Sequence, residues 1–286
     1  MRFFQLLLLL PIIYSPLCEA YDFKLALLHG DKDVFSYELS VLRLALAHAE
    51  GEHSLEVVPV LDANQARILD TLKNGKGTFN IFFSGFSKER ERQLLQVDFP
   101  LSRGLLGYRV FIINKDNQNK MTAITSLEEM KHNISIGSGV GWPDTEIFKF
   151  NGFDVSEASY VNLWRMLNAK RFIAFNRGVN EAFVEIEQQQ QVYENFVVDR
   201  SLMVIYPFDY FFYLSPRTPE LRDVVMEGLE NAFKSGAFVE NFNTHPQIKL
   251  MLKQLQPHKR TVFNLENPLL SDRIKNIPKE IWYQID

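Results

Sequence analysis

Two stretches of this chain place donor groups densely enough to bind an anion. The first is the charged run Lys88-Glu89-Arg90-Glu91-Arg92, preceded by Ser87. A guanidinium is a planar fork of donors that meets a carboxylate in two hydrogen bonds, and a neighbouring hydroxyl adds a third. Arg90 and Arg92 compete for that role, and the run also fits a solvated surface helix. The second stretch is Ser138-Gly139-Val140-Gly141-Trp142, which joins an apolar strand pattern to a helical one. Glycines let backbone N–H groups turn into one small volume, and a helix start adds partial positive charge. Ser138, Gly139 and Gly141 thus read as an anion-binding turn, although the spacing is neither a Walker loop nor a dinucleotide fingerprint. Trp142 either stacks on a ligand beside that turn or plugs a helix–sheet interface.

Catalytic constellations are harder to find. The six histidines show no metal-ligand spacing, and no nucleophile elbow occurs. Cys18 is the only cysteine and falls in the leader described next, so a disulfide, a thiolate nucleophile and a cysteine-held metal are all excluded from the mature chain. No cofactor is expected. A net charge of −4 and a pI of 5.9 carry no basic excess, so neither nucleic acid nor an anionic membrane is an expected partner.

The chain opens with Met1-Arg2, an apolar stretch over residues 3–14, and small residues at Cys18 and Ala20. That is the pattern of a secretory signal peptide cleaved after Ala20. Its apolar core is shorter than the ~20 residues of a membrane span. A periplasmic location is expected.

The elements that must position these residues follow from periodicity. Residues 23–28, 55–60 and 79–83 read as strands, and the intervening spacing of Phe35, Leu39, Leu42 and Leu46 is helical, as is 64–74 up to Gly75. Strand, helix, strand, helix, strand implies a parallel sheet with helices on both faces. Residues 105–114 form a long β-rich stretch ending in the polar loop 115–120. After it come a helix at 126–130, a strand at 133–137, helices at 144–150 and 160–167, a strand at 171–175 and a helix from 179 to 186. Residues 201–214 are again β-rich. Helix residues Leu221, Val225, Leu229 and Ala232 then share one face, and 261–286 read as an extended strap. Two crossings give two lobes: residues 21–108 with 202–286, and residues 109–201, hinged on two strands.

This organisation resembles the extracellular solute-binding proteins that serve amino-acid transporters (family 3) across the whole mature chain. The best local match is Gly77-Thr78-Phe79-Asn80-Ile81-Phe82-Phe83-Ser84-Gly85-Phe86-Ser87-Lys88-Glu89-Arg90 with Val97-Asp98-Phe99-Pro100. The resemblance implies an α/β, two-lobed type 2 periplasmic-binding fold, a carboxylate held by Arg90 beside Ser84 and Ser87, and the glycine turn facing it across a cleft. It also implies an aromatic contribution near the opening strand, for which His29 and Tyr37 are the candidates. One departure stands out. Where the family places an aspartate for the ligand ammonium, this chain has Arg177 in Ala174-Phe175-Asn176-Arg177-Gly178. A cation there repels an ammonium. Either Arg177 serves a ligand with two anionic groups, or it pairs with Glu181 four residues on.

The function expected from these features is capture of a small polar, carboxylate-bearing molecule, without catalysis, by a monomer serving an inner-membrane permease. A sensing module acting through a separate membrane receptor is the alternative.

Overall fold

The computed structural model describes residues 19–28, 34–61 and 63–283; the leader residues 1–18 and His29 lie outside the described residues. Among the described residues no helix is long and apolar enough to cross a membrane.

The first sheet begins with β1 (Asp22–Leu28), exposed at Asp22 and Lys24 and buried on both faces from Leu25 onward, as a strand covered on both sides must be. Helix α1 (Ser36–His48) buries Leu39, Leu42 and Leu46 on the spacing the sequence shows. β2 (Ser54–Val60) pairs parallel to β1. Helix α2 (Gln65–Asn74) starts where the Asn64 side chain accepts from the Arg67 N–H, and stops at Gly75 in the left-handed region. β3 (Ile81–Gly85) leads into α3 (Lys88–Gln93), the charged run, and then β4 (Leu95–Gln96).

β5 (Tyr108–Asn114) carries the chain into the second sheet. The polar stretch after it is helical rather than a loop: a tight turn runs into α4 (Gln118–Thr122), and the Gln118 amide reaches Asp199 and Ser201. Helix α5 (Leu127–Asn133) has a reciprocal cap between Ser126 and Glu129. There follow β6 (Ile136–Gly139), α6 (Pro143–Phe150), β7 (Val155–Ala158), α7 (Tyr160–Asn168), β8 (Ala174–Gly178), α8 (Val179–Gln189) and β9 (Phe196–Val198). β6 and β8 each begin three residues later than the apolar pattern suggests, because Asn133 still belongs to α5 and the Ile173 N–H already bonds the Ser135 carbonyl in the turn before β8.

The β-rich stretch 201–214 is two strands. β10 (Leu202–Ile205) pairs antiparallel with β5 in the second sheet, and β11 (Tyr210–Leu214) pairs antiparallel with β3 in the first. The break contains Pro207, which has no N–H to give a ladder, and Asp209, whose carboxylate gathers backbone donors. Helix α9 (Pro219–Lys234) packs on α1 so closely that a Cβ on Gly228 would lie 1.9 Å from the Ala45 carbonyl oxygen. Helices α10 (Ala237–Thr244) and α11 (Pro246–Leu255) follow. β12 (Thr261–Asn264) then joins the second sheet beside β10, and α12 (Asp272–Lys275) lies on the first-sheet side, where Arg273 pairs with Asp98. The sequence reading places residues 202–286 with the first lobe, whereas β10 and β12 hydrogen-bond in the second sheet.

The sheet orders are β2-β1-β3-β11-β4 and β12-β10-β5-β8-β6-β7, with β9 beside β5. The tail spans both. Asn151 exchanges hydrogen bonds with the Glu266 backbone, Asn267 donates to the Pro207 carbonyl, and Ser271 donates to Glu91.

Candidate functional site

In both sheets the parallel strands aim their carboxyl ends at a common gap. From the first come Leu28 at the end of β1, Leu61, Ala63, Asn64 and Gln65 after β2, and Gly85 on β3. From the second come Gly139 on β6, Ala158 on β7 and Arg177 on β8. Ligands of open α/β sheets collect at such ends because helix starts and loop side chains converge there. The crossing segments close the base with Leu106, Arg109, Phe208 and Tyr210. The cavity between them, open to solvent at its rim, measures about 420 Å³.

Its polar floor is two buried ion clusters. Arg109 lies 2.8 Å from Asp144 and also donates to the Asn176 side chain and the Leu106 carbonyl. Tyr206 donates its hydroxyl to the same Asp144. Arg177 faces two glutamates presented one and two turns along α8. Its Nε donates to Glu185 at 2.6 Å, a second nitrogen also reaches Glu185, and Glu181 stands 3.2 Å away. The Gly178 N–H and the Tyr210 hydroxyl complete Glu181. The guanidinium also lies over the Trp142 ring at 4.7 Å, a favourable cation–π distance. Burial works to lower the Arg177 pKa, but Glu181 and Glu185 outweigh it and raise it well above the usual arginine value. Burial likewise acts to raise Glu181, yet Arg177, Arg109 and Tyr210 hold it below the usual carboxylate range. At Glu185 burial prevails over Arg177, and its pKa is raised.

Arg90 reaches across the gap from the first-sheet side. One guanidinium nitrogen donates to Ser84 and the Gly85 carbonyl. The other donates to Gln65 and, at 2.8 Å, to the Gly141 carbonyl on the opposite wall. The charged run and the glycine turn therefore meet, but through a guanidinium–carbonyl bridge, with Arg90 buried and outside the lining of the cavity just described. Burial lowers its pKa. Beyond the bridge lies a second, more polar groove lined by Ser87, Arg90, Gly141, Lys149 and Glu157. Arg92 lies outside both linings.

The other expected site residues are placed as follows. Ser84 accepts from Arg90 and donates to Gln65; Ser87 caps α3. Ser138 is fully buried and accepts from Thr145, and Tyr37 is a core residue donating to the Leu101 carbonyl. Trp142 lines both spaces. Gly139 is required by packing: the indole of Trp142 lies across it, 2.2 Å from where a Cβ would stand. The Val140 and Trp142 N–H groups of the turn are bonded to Ala158 and Gly139 carbonyls. Gly139→Ala is therefore expected to displace the indole and cost about 1–3 kcal/mol, read by denaturant melts together with a shift in tryptophan emission.

Sequence reasoning missed Arg109, Asp144, Glu185, Tyr160 and Tyr210. Arg177, Glu181 and Glu185 do repeat at the four-residue interval, a signal that runs one step beyond the Arg177–Glu181 pair.

No protein-family model matches this chain, and no curated protein matches it. Solved structures do. An ancestral arginine-binding protein bound to arginine is 16% identical, covering 78% of this chain and 96% of that chain with a TM-score of 0.56. An ancestral amino acid-binding protein, a precursor of cyclohexadienyl dehydratase, is 16% identical over 78% and 94%, TM-score 0.56. A histidine kinase sensor domain with similarity to periplasmic binding proteins is 14% identical over 77% and 93%, TM-score 0.55. The chain has the two-lobed type 2 periplasmic-binding fold, two mixed sheets flanked by helices and joined by crossing strands. The substrate binding protein of an amino acid ABC transporter is a further structural neighbour, 14% identical over 78% of this chain and 97% of that chain, TM-score 0.54.

Proposed function

We propose that this chain is an exported solute receptor that encloses a small molecule between its two lobes and presents the closed form to a membrane partner. The observation that carries the reading is the 420 Å³ cavity walled by strand ends from both sheets. A ligand lodged there touches both lobes at once, so the closed state gains contacts that exist only when it is occupied. The reading assigns no chemical step to the protein. It places the mature chain, freed of its leader, in the periplasm as a monomer.

A permease is the partner in the transport form of this reading. The likeness to a histidine kinase sensor domain supports a second form, in which closure is read by a separate receptor. The expectation of a carboxylate on Arg90 gains no support from the geometry, because that guanidinium already donates to four protein oxygens.

A thermal-shift screen of the mature protein against amino acids, organic acids, amines and sugars tests the proposal. Ligand present at about 100 times its Kd adds about 2.7 kcal/mol to the folded state and a readable rise in Tm. A hit should also compact the protein in small-angle scattering. A full panel without a single shift counts against the receptor.

A further inference from the structure

Resting on the receptor reading, we propose that the interlobe cavity selects an apolar monoamine, a molecule with a hydrocarbon or aromatic body, one ammonium group and no carboxylate.

The charges of the wall point that way. Among the described residues that line the cavity are two guanidiniums, Arg109 and Arg177, and three carboxylates, Asp144, Glu181 and Glu185. Arg109 is consumed by Asp144, and Arg177 is shared between both glutamates. No described lining cation is left to meet an anion, and carboxylates exceed cations by one. In a wall of low dielectric a third acid with no guanidinium of its own disfavours an incoming carboxylate, and it is best ionised opposite a single positive charge brought by the ligand. The ammonium belongs at the Glu181–Glu185 end, the one place where two acids share one base.

The remaining surface is apolar. Leu28, Val34, Phe35, Leu106 and Phe208 line the interior. Leu61 from one lobe and Val140 and Val161 from the other stand at the rim, 65%, 47% and 51% exposed. Large apolar side chains left in water on both lips of one cavity suit a ligand that brings hydrocarbon through the mouth. The volume falls within the roughly 300–1,000 Å³ of small-molecule sites. A free amino acid satisfies only half of this pattern, since its carboxylate finds no donor fork.

The test compares 2-phenylethylamine, 3-phenylpropanoate and phenylalanine, three molecules of one body and different charge, by calorimetry and melting of the mature protein. The amine is expected to bind at least about tenfold more tightly than either of the others. Glu185→Gln should weaken the amine, and Val161→Lys, a substitution at an exposed position that leaves the fold undisturbed, should weaken it as well by adding a positive charge at the mouth. Equal or tighter binding of the acid or the zwitterion overturns the inference while the receptor stands. Silence from all three overturns it too, and the broad screen then decides separately whether the receptor survives.

Discussion

Arg177→Ala is expected to destabilise the protein by about 3–5 kcal/mol in denaturant melts, among the largest losses available to a single site. The reason is what remains behind. Glu181 and Glu185 are both almost fully buried, and the substitution removes the charge that holds them together. Glu181 keeps the Gly178 N–H, the Tyr210 hydroxyl and the influence of Arg109, but two acids are then left facing each other without the cation that pairs with both. They answer by taking up protons, so their folded-state pKa values rise above the unfolded ones. Stability from that uptake is present at low pH and lost as pH rises through the raised values. The loss caused by Arg177→Ala should therefore be smaller near pH 5 than near pH 8. Adding Glu185→Gln to Arg177→Ala removes one uncompensated charge and should restore part of the stability at neutral pH, a coupling that a double-mutant cycle reads directly. Equal cost at both pH values would show that the cluster contributes packing and little charge.

The same cluster shows where sequence reasoning stops. The succession of strands and helices was legible because each half-buried helix repeats its apolar residues every three or four positions, as α1 does with Leu39, Leu42 and Leu46. Caps were legible too, in Asn64, Gly75 and Ser126. Pro207 and Asp209 mark the break between β10 and β11, but which sheet each half joins was not legible, since residues 202–206 and 210–214 are alike in being apolar and are held apart by tertiary hydrogen bonds gathered on Asp209. Sheet membership is likewise invisible for β12, a short exposed strand that gains its partner β10 from across the sequence. At the site, the facing of Arg90 and the glycine turn was an expectation of the family resemblance. What the guanidinium would hold did not follow, because the Gly141 carbonyl comes from a residue whose type says nothing about where its oxygen points. Arg109 and Asp144 are 35 positions apart and become partners only when α6 packs on β5, as Phe148 does on Phe111.

Asp209 is the other position where one substitution should cost most, and it sits where the two crossings touch. Its carboxylate accepts from the Ser102 N–H and hydroxyl, the Gly104 N–H and the Tyr210 N–H, binding the segment that enters β5 to the segment that enters β11. Alanine there leaves these donors buried without an acceptor, at about 1–3 kcal/mol for each one that water cannot reach. A total loss of about 3 kcal/mol or more is expected, with faster amide exchange at Ser102, Gly104 and Tyr210 as its local sign. The pH dependence gives a sharper signature. Burial pushes the Asp209 pKa from 3.8 up to about 6, against hydrogen bonds from Ser102, Gly104 and Tyr210 that favour the ionised form. A folded-state value above the unfolded one stabilises fully below the unfolded pKa, and that contribution disappears as pH rises through the folded value. Wild-type protein should thus gain stability from this group as pH falls from about 7 to about 4, a gain that Asp209→Ala cannot share. The cost of the substitution should accordingly be greater at about pH 4.5 than at pH 7. A cost that instead shrinks on acidification would mean that the three backbone N–H groups govern Asp209 more strongly than its burial, and that the hinge is held by a permanent carboxylate.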